Sequence, residues 1–246
     1  MEYNYTAPEC SEYELFTDIL EQYNTLIAGC VGSGKSVFEE GMIYNILNRY
    51  TPDEAELYLI DPKMVELDPW RVVPHCSGYA DTVEGAVELL EEIYDRMMSR
   101  YAAMKEAGEK KFRGAHIYCF IDEMSDLIMN GGKDVVRRIQ KILQLGRAAR
   151  IHLVCCSQTV SRYSVPSVLQ VNLTCSVGLH CKAAIDSRMI IGQAGCEALP
   201  LYGKAIVSAN GKLETVTVPM YTAKHTEAMR HYWNVQVINN LKEGVK

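Results

Sequence analysis

The sequence predicts an α/β fold, a mostly parallel sheet with helices on both faces, on three observations. Short runs rich in β-branched and aromatic residues recur along the chain without regular polar alternation, as strands buried on both faces do. Stretches of helical period separate these runs, and strand–helix alternation implies right-handed crossovers and parallel pairing. A glycine-rich segment, Gly29-Cys30-Val31-Gly32-Ser33-Gly34-Lys35-Ser36, sits between the first apolar run and the first helical stretch.

The expected strands are 25–29 (TLIAG), 56–61 (ELYLID), 117–122 (IYCFID), 152–157 (HLVCCS), 175–180 (CSVGLH) and 204–208 (KAIVS), a sheet of about six. After the glycine-rich segment, Phe38, Met42 and Ile46 share one face of a helix. In 83–105, Val87, Leu90, Tyr94, Met97 and Tyr101 recur at three- and four-residue steps, and in 133–146 Val136, Ile139, Leu143 and Gly146 do the same. Both stripes are expected to pack in the core. Beyond Ser208, Ala209-Asn210-Gly211-Lys212 reads as a tight hairpin turn, and 219–246 as a small helical appendage. The organisation expected is an N-terminal extension (1–24), a core domain (25–208) and a hairpin with a C-terminal helix (209–246).

The composition bounds the function. Of 246 residues, 48% are apolar, enough for a sizeable core, and no run of eighteen apolar residues spans a membrane. The opening segment MEYNYTAPECSEYELF lacks the basic and apolar regions of a signal peptide, so a cytoplasmic location is expected, with any membrane attachment left to an anchored partner. The net charge of −6 argues against a surface coated for nucleic acid, but leaves room for a basic patch or a ring with a basic channel. Nine cysteines occur with no C-x-x-C pair, several in apolar runs, and read as small buried hydrophobes in a reducing compartment.

The segment 29–36 satisfies G-x-x-x-x-G-K-S, with a strand before it and an amphipathic helix after it, the context that a phosphate cradle needs. Its glycines let backbone N–H groups converge on phosphate oxygens, and the helix starting near Lys35 adds its positive end. Gly29 through Val37 are therefore the expected nucleotide-binding residues. Lys35 would reach the β- and γ-phosphates, and the Ser36 hydroxyl would ligate Mg²⁺. An acidic residue ending a parallel strand is the expected second element. Asp122 ends an apolar run and can hold the Mg²⁺ shell; Glu123 follows, placed to orient and deprotonate water. Gln158, at the end of HLVCCSQ, is a candidate γ-phosphate sensor.

Together these elements resemble the FtsK/SpoIIIE family of ATP-driven double-stranded DNA translocases. The resemblance runs over roughly residues 22–208: AGCVGSGKSV, LIDPKMVEL (59–67), VPH (73–75), SRYAAM (99–104), IDEMSDLIM (121–129), GRAARIHLVCCSQ (146–158) and IDSRMIIGQAGCEALPLYGKAIV (185–207) are similar to its successive motifs. Arg150 stands where that pattern usually has glycine. The resemblance implies a RecA-like P-loop NTPase core that uses ATP and Mg²⁺, assembles as a ring homo-oligomer, expected to be a hexamer, and moves double-stranded DNA in transfer, segregation or packaging. It also implies an arginine finger that completes a neighbour's site, with Arg147 as first candidate and Arg188 and Arg100 as alternatives. Two positions where the family tends to be basic are Thr159 and Gln170 here; Arg162, Lys182 and Arg188 are candidates to restore the DNA contact. The alternatives are an ATPase of a protein-secretion system and a nucleotide-binding scaffold that does not translocate.

Overall fold

The computed structural model describes residues 14–22, 24–161 and 164–243. Among them, eight strands form one sheet in the order β3-β2-β4-β5-β1-β6-β7-β8. These are β1 (Thr25–Ala28), β2 (Ala55–Ile60), β3 (Cys76–Ala80), β4 (His116–Ile121), β5 (Ile151–Ser157), β6 (Cys175–Gly178), β7 (Lys204–Ala209) and β8 (Lys212–Thr217). The first six pair in parallel, whereas β7 runs antiparallel to β6, and β8 to β7. The sheet is thus larger than the six strands expected from the sequence. Two strands were not anticipated. CSGYA in β3 holds little apolar bulk and is an edge strand, while LETV in β8 is largely solvent-facing. Both lack the apolar run that marks a doubly covered strand. The expected hairpin turn is present: Asn210 and Gly211 both take positive φ, 51° and 73°, as a two-residue β-turn of this type needs.

The helices are α1 (Glu14–Gln22), α2 (Lys35–Arg49), α3 (Val83–Ala107), α4 (Met124–Leu145), α5 (Ser167–Gln170), α6 (Ala184–Ile191) and α7 (Ala223–Glu243). Successive residues of the central strands serve opposite cores. Leu26, Ile117, Cys119, Ile121, Leu153 and Cys155 pack with α3 and α4; Ile27, Tyr118, Phe120, Val154 and Cys156 pack with α1, α2 and α7. This explains the unalternated apolar runs, since a strand covered on both faces has no polar side.

Phe38, Met42 and Ile46 of α2 are fully buried, as their spacing predicts. In α3 the buried line runs Ala86, Leu90, Ile93, Met97, Arg100 and Met104, with Val87, Tyr94 and Tyr101 at its margin. Helix α4 starts nine residues before the expected 133, because Gly132 (φ 60°, ψ −146°) kinks it and breaks the periodicity there. Its fully buried positions after the kink are Val135, Ile139, Ile142 and Leu143, with Val136 half-buried beside them. Helix α7 docks on α2, where the Trp233 indole N–H donates to the Leu47 carbonyl at 3.2 Å and Met229 is fully buried. Among the described cysteines none forms a disulfide, and Cys119, Cys155, Cys156, Cys175, Cys181 and Cys196 are buried. Cys10 lies outside the described residues. No described helix is long and apolar enough to cross a membrane.

Candidate functional site

All parallel strands point their carboxyl ends the same way, and the sequence-predicted nucleotide residues gather there. The loop after β1 closes tightly on the loop after β6: Cys30 N–H donates to the His180 carbonyl at 2.9 Å. Gly29 is required at this point, since a Cβ there would lie 2.7 Å from the Leu179 Cβ and 2.6 Å from the Ser33 Oγ. Gly34, the residue before α2, sits at φ 93°, a conformation that side chains disfavour, and space around it is open. The first turn of α2 has no side-chain cap and no acidic residue, so its N–H groups and positive end are available to an anion. The Ser33 hydroxyl is buried in this loop with no hydrogen-bond partner. Lys35 Nζ donates to the Gly29 carbonyl at 3.3 Å, which holds the ammonium over the loop. Ser36 follows on α2, half-buried. These features fit a polyphosphate cradle over residues 29–37.

Asp122 and Glu123 follow β4 directly. The Asp122 N–H donates to the Ile60 carbonyl and the Asp61 N–H to the Ala80 carbonyl, which sets two carboxylates at adjacent strand ends. Burial, then Asp61 and Glu66, push the Asp122 pKa up to about 6, against the opposing pull of Lys63. A divalent cation would relieve this crowding, so the donor set of Asp122 and Ser36 suits Mg²⁺. Beneath Asp122 lies Glu39, wholly buried. Its pKa is raised well above the ordinary value by burial and then by Asp122, so the neutral form of the acid is favoured there.

Glu123 adopts a left-handed conformation, φ 53° and ψ 62°, uncommon for a residue with a side chain and often found at functional positions. Its carboxylate is held from four sides. Oε1 accepts from the Ser125 hydroxyl, from the Gln158 backbone N–H at 3.1 Å and from the Ser157 hydroxyl at 3.4 Å; Oε2 pairs with Lys63 Nζ at 3.2 Å. Burial works to raise its pKa, but Ser125, Gln158 and Lys63 outweigh it and keep the value low, so the group is a carboxylate at neutral pH.

Sequence reasoning assigned no role to Lys63 or Glu39. Lys63 lies in the quoted LIDPKMVEL, but its pairing with Glu123 and Asp126 exists only because the Asp61 carboxylate accepts from the N–H groups of Lys63, Val65 and Leu67 and folds the loop back. Glu39 follows the core residue Phe38, and only its burial distinguishes it from a surface carboxylate.

The structure brings together Lys35, Ser36, Asp122, Glu123 and Gln158 at one end. Lys182 is exposed two residues past His180, close to the same loop, and Arg188 is exposed on α6. Arg162 lies outside the described residues. Arg147 is elsewhere. It is exposed in a short 3₁₀ turn, Gly146–Ala149, before β5, whereas Gln158 follows β5. Seven strand residues separate the ends, roughly 20 Å. Arg100 is buried and donates to the Ala149 carbonyl at 2.7 Å, with its guanidinium over the Phe112 ring; it is a structural tie rather than a free finger.

Comparison with known proteins agrees with this geometry. The profile of the FtsK/SpoIIIE family matches residues 6–119. DNA translocase FtsK of Staphylococcus epidermidis is 33% identical over 80% of this chain, and that of Corynebacterium efficiens 31% identical over 89%. The chain belongs to the FtsK/SpoIIIE family. It spans about a quarter of the length of those FtsK relatives, 27% and 26%. Among solved structures, EssC (ATPases 2 and 3) of Geobacillus thermodenitrificans superposes with a TM-score of 0.76 over 87% of this chain and 45% of that one, at 18% identity. The pCW3 conjugation coupling protein TcpA, solved with ATPγS, gives 0.74 over 85% of this chain and 65% of that one, also at 18% identity. At such identities these likenesses speak to the fold alone, a mixed α/β core with a mostly parallel sheet.

Proposed function

We propose that this chain hydrolyses ATP as part of a ring of identical subunits and couples that hydrolysis to movement along double-stranded DNA. The observation that carries the ATPase reading is the convergence of an uncapped α2 N-terminus, Lys35 and an Asp122–Glu123 pair at the carboxyl ends of β1 and β4, the two strands that flank β5. Loop N–H groups and Lys35 bind the triphosphate. Ser36 and Asp122 would hold Mg²⁺, which would neutralise charge on the phosphates. Glu123, a carboxylate at neutral pH, takes the proton from the attacking water, and Gln158, whose N–H already fixes Glu123, positions the same water or the γ-phosphate. Arg147, roughly 20 Å from its own cradle, acts on the site of a neighbouring subunit.

The DNA part of the reading rests on family membership and on relatives that carry the name DNA translocase. A second reading is favoured by one specific feature. Gln170 donates its side-chain amide to the Val165 carbonyl at 2.7 Å and Thr159 is uncharged, so neither offers charge to a phosphate backbone. A protein substrate would need none. ATP turnover measured at low salt with and without duplex DNA separates the two. Strong stimulation by DNA, with affinity that falls steeply as salt rises, supports the DNA motor. Turnover indifferent to DNA overturns it and leaves the protein-substrate or scaffold reading.

A further inference from the structure

The end of the sheet opposite the cradle holds a cleft of about 1030 Å³. Lys110, Lys111, Arg113, Arg147 and Arg150 line it, and Glu109 is the one acidic residue among its lining. Glu109 pairs with Arg113 at 3.1 Å, which leaves the four other cations unmatched by acid within the lining. At its floor are His116, the first residue of β4, and His152, the second of β5, with ring nitrogens 3.3 Å apart. His152 is pushed down to about 3 by burial and then by His116, Arg150, Arg147 and Arg100, so the floor adds no cation of its own there at neutral pH. A chain of net charge −6 thus concentrates positive charge at this end.

Arg150 is the unusual member. It ends the Gly146–Ala149 turn in a left-handed conformation, φ 57° and ψ 42°, which glycine adopts without cost and arginine does not. The turn does not depend on its side chain: the Arg150 N–H returns to the Arg147 carbonyl, and Arg100 from α3 holds the Ala149 carbonyl from below. The side chain instead reaches the cleft wall. One terminal nitrogen donates to the Gly114 carbonyl at 3.0 Å and the other contacts the His116 imidazole. A strained arginine is therefore fixed three residues after Arg147, on the same turn, with its charge in the same cleft.

The opposite end of the sheet supplies the complement. There Asp61, Glu66 and Glu123 crowd around Asp122, and Glu123 and Asp126 flank Lys63, beside the cradle for a triphosphate. An acidic, phosphate-binding end and a basic end on one chain favour head-to-tail association of copies, which closes into a ring where the rotation permits.

We infer that Arg150 is a second phosphate-binding residue acting in trans: together with Arg147 it clamps the polyphosphate of ATP held in the cradle of an adjacent copy. The inference rests on the ring-ATPase reading above and extends it from one arginine to two. A planar guanidinium held by a carbonyl and an imidazole keeps further N–H donors for phosphate oxygens.

The test uses the full chain with Mg·ATP. Arg150→Gly relieves the backbone conformation while removing the charge, and Arg150→Lys keeps a charge without the planar fork. Arg150→Gly should leave ATP binding by the subunit intact and lower turnover tenfold or more, with Arg150→Lys intermediate. Mixing Arg150→Gly with Glu123→Gln subunits should restore part of the lost turnover, because the Glu123→Gln copies carry an intact Arg150 to cradles that retain Glu123. A folding defect of the variant itself would not be complemented in this way. Turnover of Arg150→Gly within twofold of wild type, while Arg147→Ala collapses, overturns the second arginine and leaves the ring reading standing. Normal turnover in both, with wild-type specific activity independent of concentration, overturns both. Loss of duplex-DNA affinity with DNA-free turnover unchanged assigns the cleft to nucleic acid and also overturns the proposal.

Discussion

At the carboxyl end of the parallel strands the ionisable groups are mostly acidic and bound into one another: Glu123 by Lys63 and two serines, Asp122 against Asp61, Glu39 buried beneath them. At the amino end they are basic, and much of that charge lies on exposed side chains: Lys110, Lys111 and Arg147. The first end is buried and built to hold a cation and a triphosphate in one geometry. The second is open and suited to meet something brought to it. In a parallel sheet the two are separated by the length of a strand, so one chain cannot bring its own amino-end arginines to its own cradle. A site that needs both must draw them from two chains.

The comparison breaks most completely with Lys35→Ala. That change removes the ammonium of the cradle, and no other cation extends from the loop of residues 29–36. ATP binding should weaken and turnover should fall by more than about a thousandfold. Turnover within about tenfold of wild type would move the site away from this loop. Arg147→Ala probes the other end. Subunits should still bind ATP, and turnover should fall on the order of a thousandfold. Mixing with Glu123→Gln subunits should rescue part of it; failure of the mixing alone would redirect attention to Arg188. Glu123→Gln keeps the shape and removes the base, so ATP should be bound and hydrolysed on the order of a hundredfold more slowly or worse. Full turnover in both Glu123→Gln and Asp122→Asn would remove the acidic pair from the mechanism.

The two ends also differ in how far the sequence revealed them. The carboxyl end was legible because strand ends and a fixed local pattern carry it: the glycines, Lys35, Ser36 and the Asp122–Glu123 pair each sit where an apolar run stops. What escaped notice there depends on folding back of the chain. Lys63 reaches Glu123 across sixty positions only through the Asp61-ordered loop, and Glu39 becomes unusual only once α2 is laid against β4 and β5. The amino end was barely legible. Its charges come from two separate segments, 109–113 and 147–150, which a linear reading sees as ordinary surface. Arg150 stood out in the sequence as a replaced glycine, but its meaning required its backbone angle and its reach to His116. Strands β3 and β8 were missed for the reason that edge strands generally are, since they bury one face or less.

The smallest effect, and the one that sharpens the comparison without touching catalysis, is the charge balance of the carboxyl end itself. Asp122 has a folded-state pKa of about 6 against an ordinary 3.8, owing to burial and then to Asp61 and Glu66. Because the folded value is the higher, the unfolded chain releases its proton first. Stability should therefore decline as pH rises from about 4 to about 6 and stay lower above that, an elevation worth up to about 3 kcal/mol. Asp122→Asn keeps the volume and cannot ionise. In chelator, without Mg²⁺, its stability should match wild type near pH 4 and exceed it at pH 7.5, with the gap opening across that window. Adding Mg²⁺ should narrow the gap from the wild-type side, since binding to the folded state alone stabilises it. Chemical denaturation at several pH values reads this directly. Parallel pH profiles for the two proteins would mean that Asp122 carries no such burden, and that the acidic end is relaxed without a cation. A divergence that Mg²⁺ narrows would show that the carboxyl end is destabilised for the sake of its ligand, a cost carried by buried carboxylates, whereas the cost at the amino end lies in the backbone of Arg150.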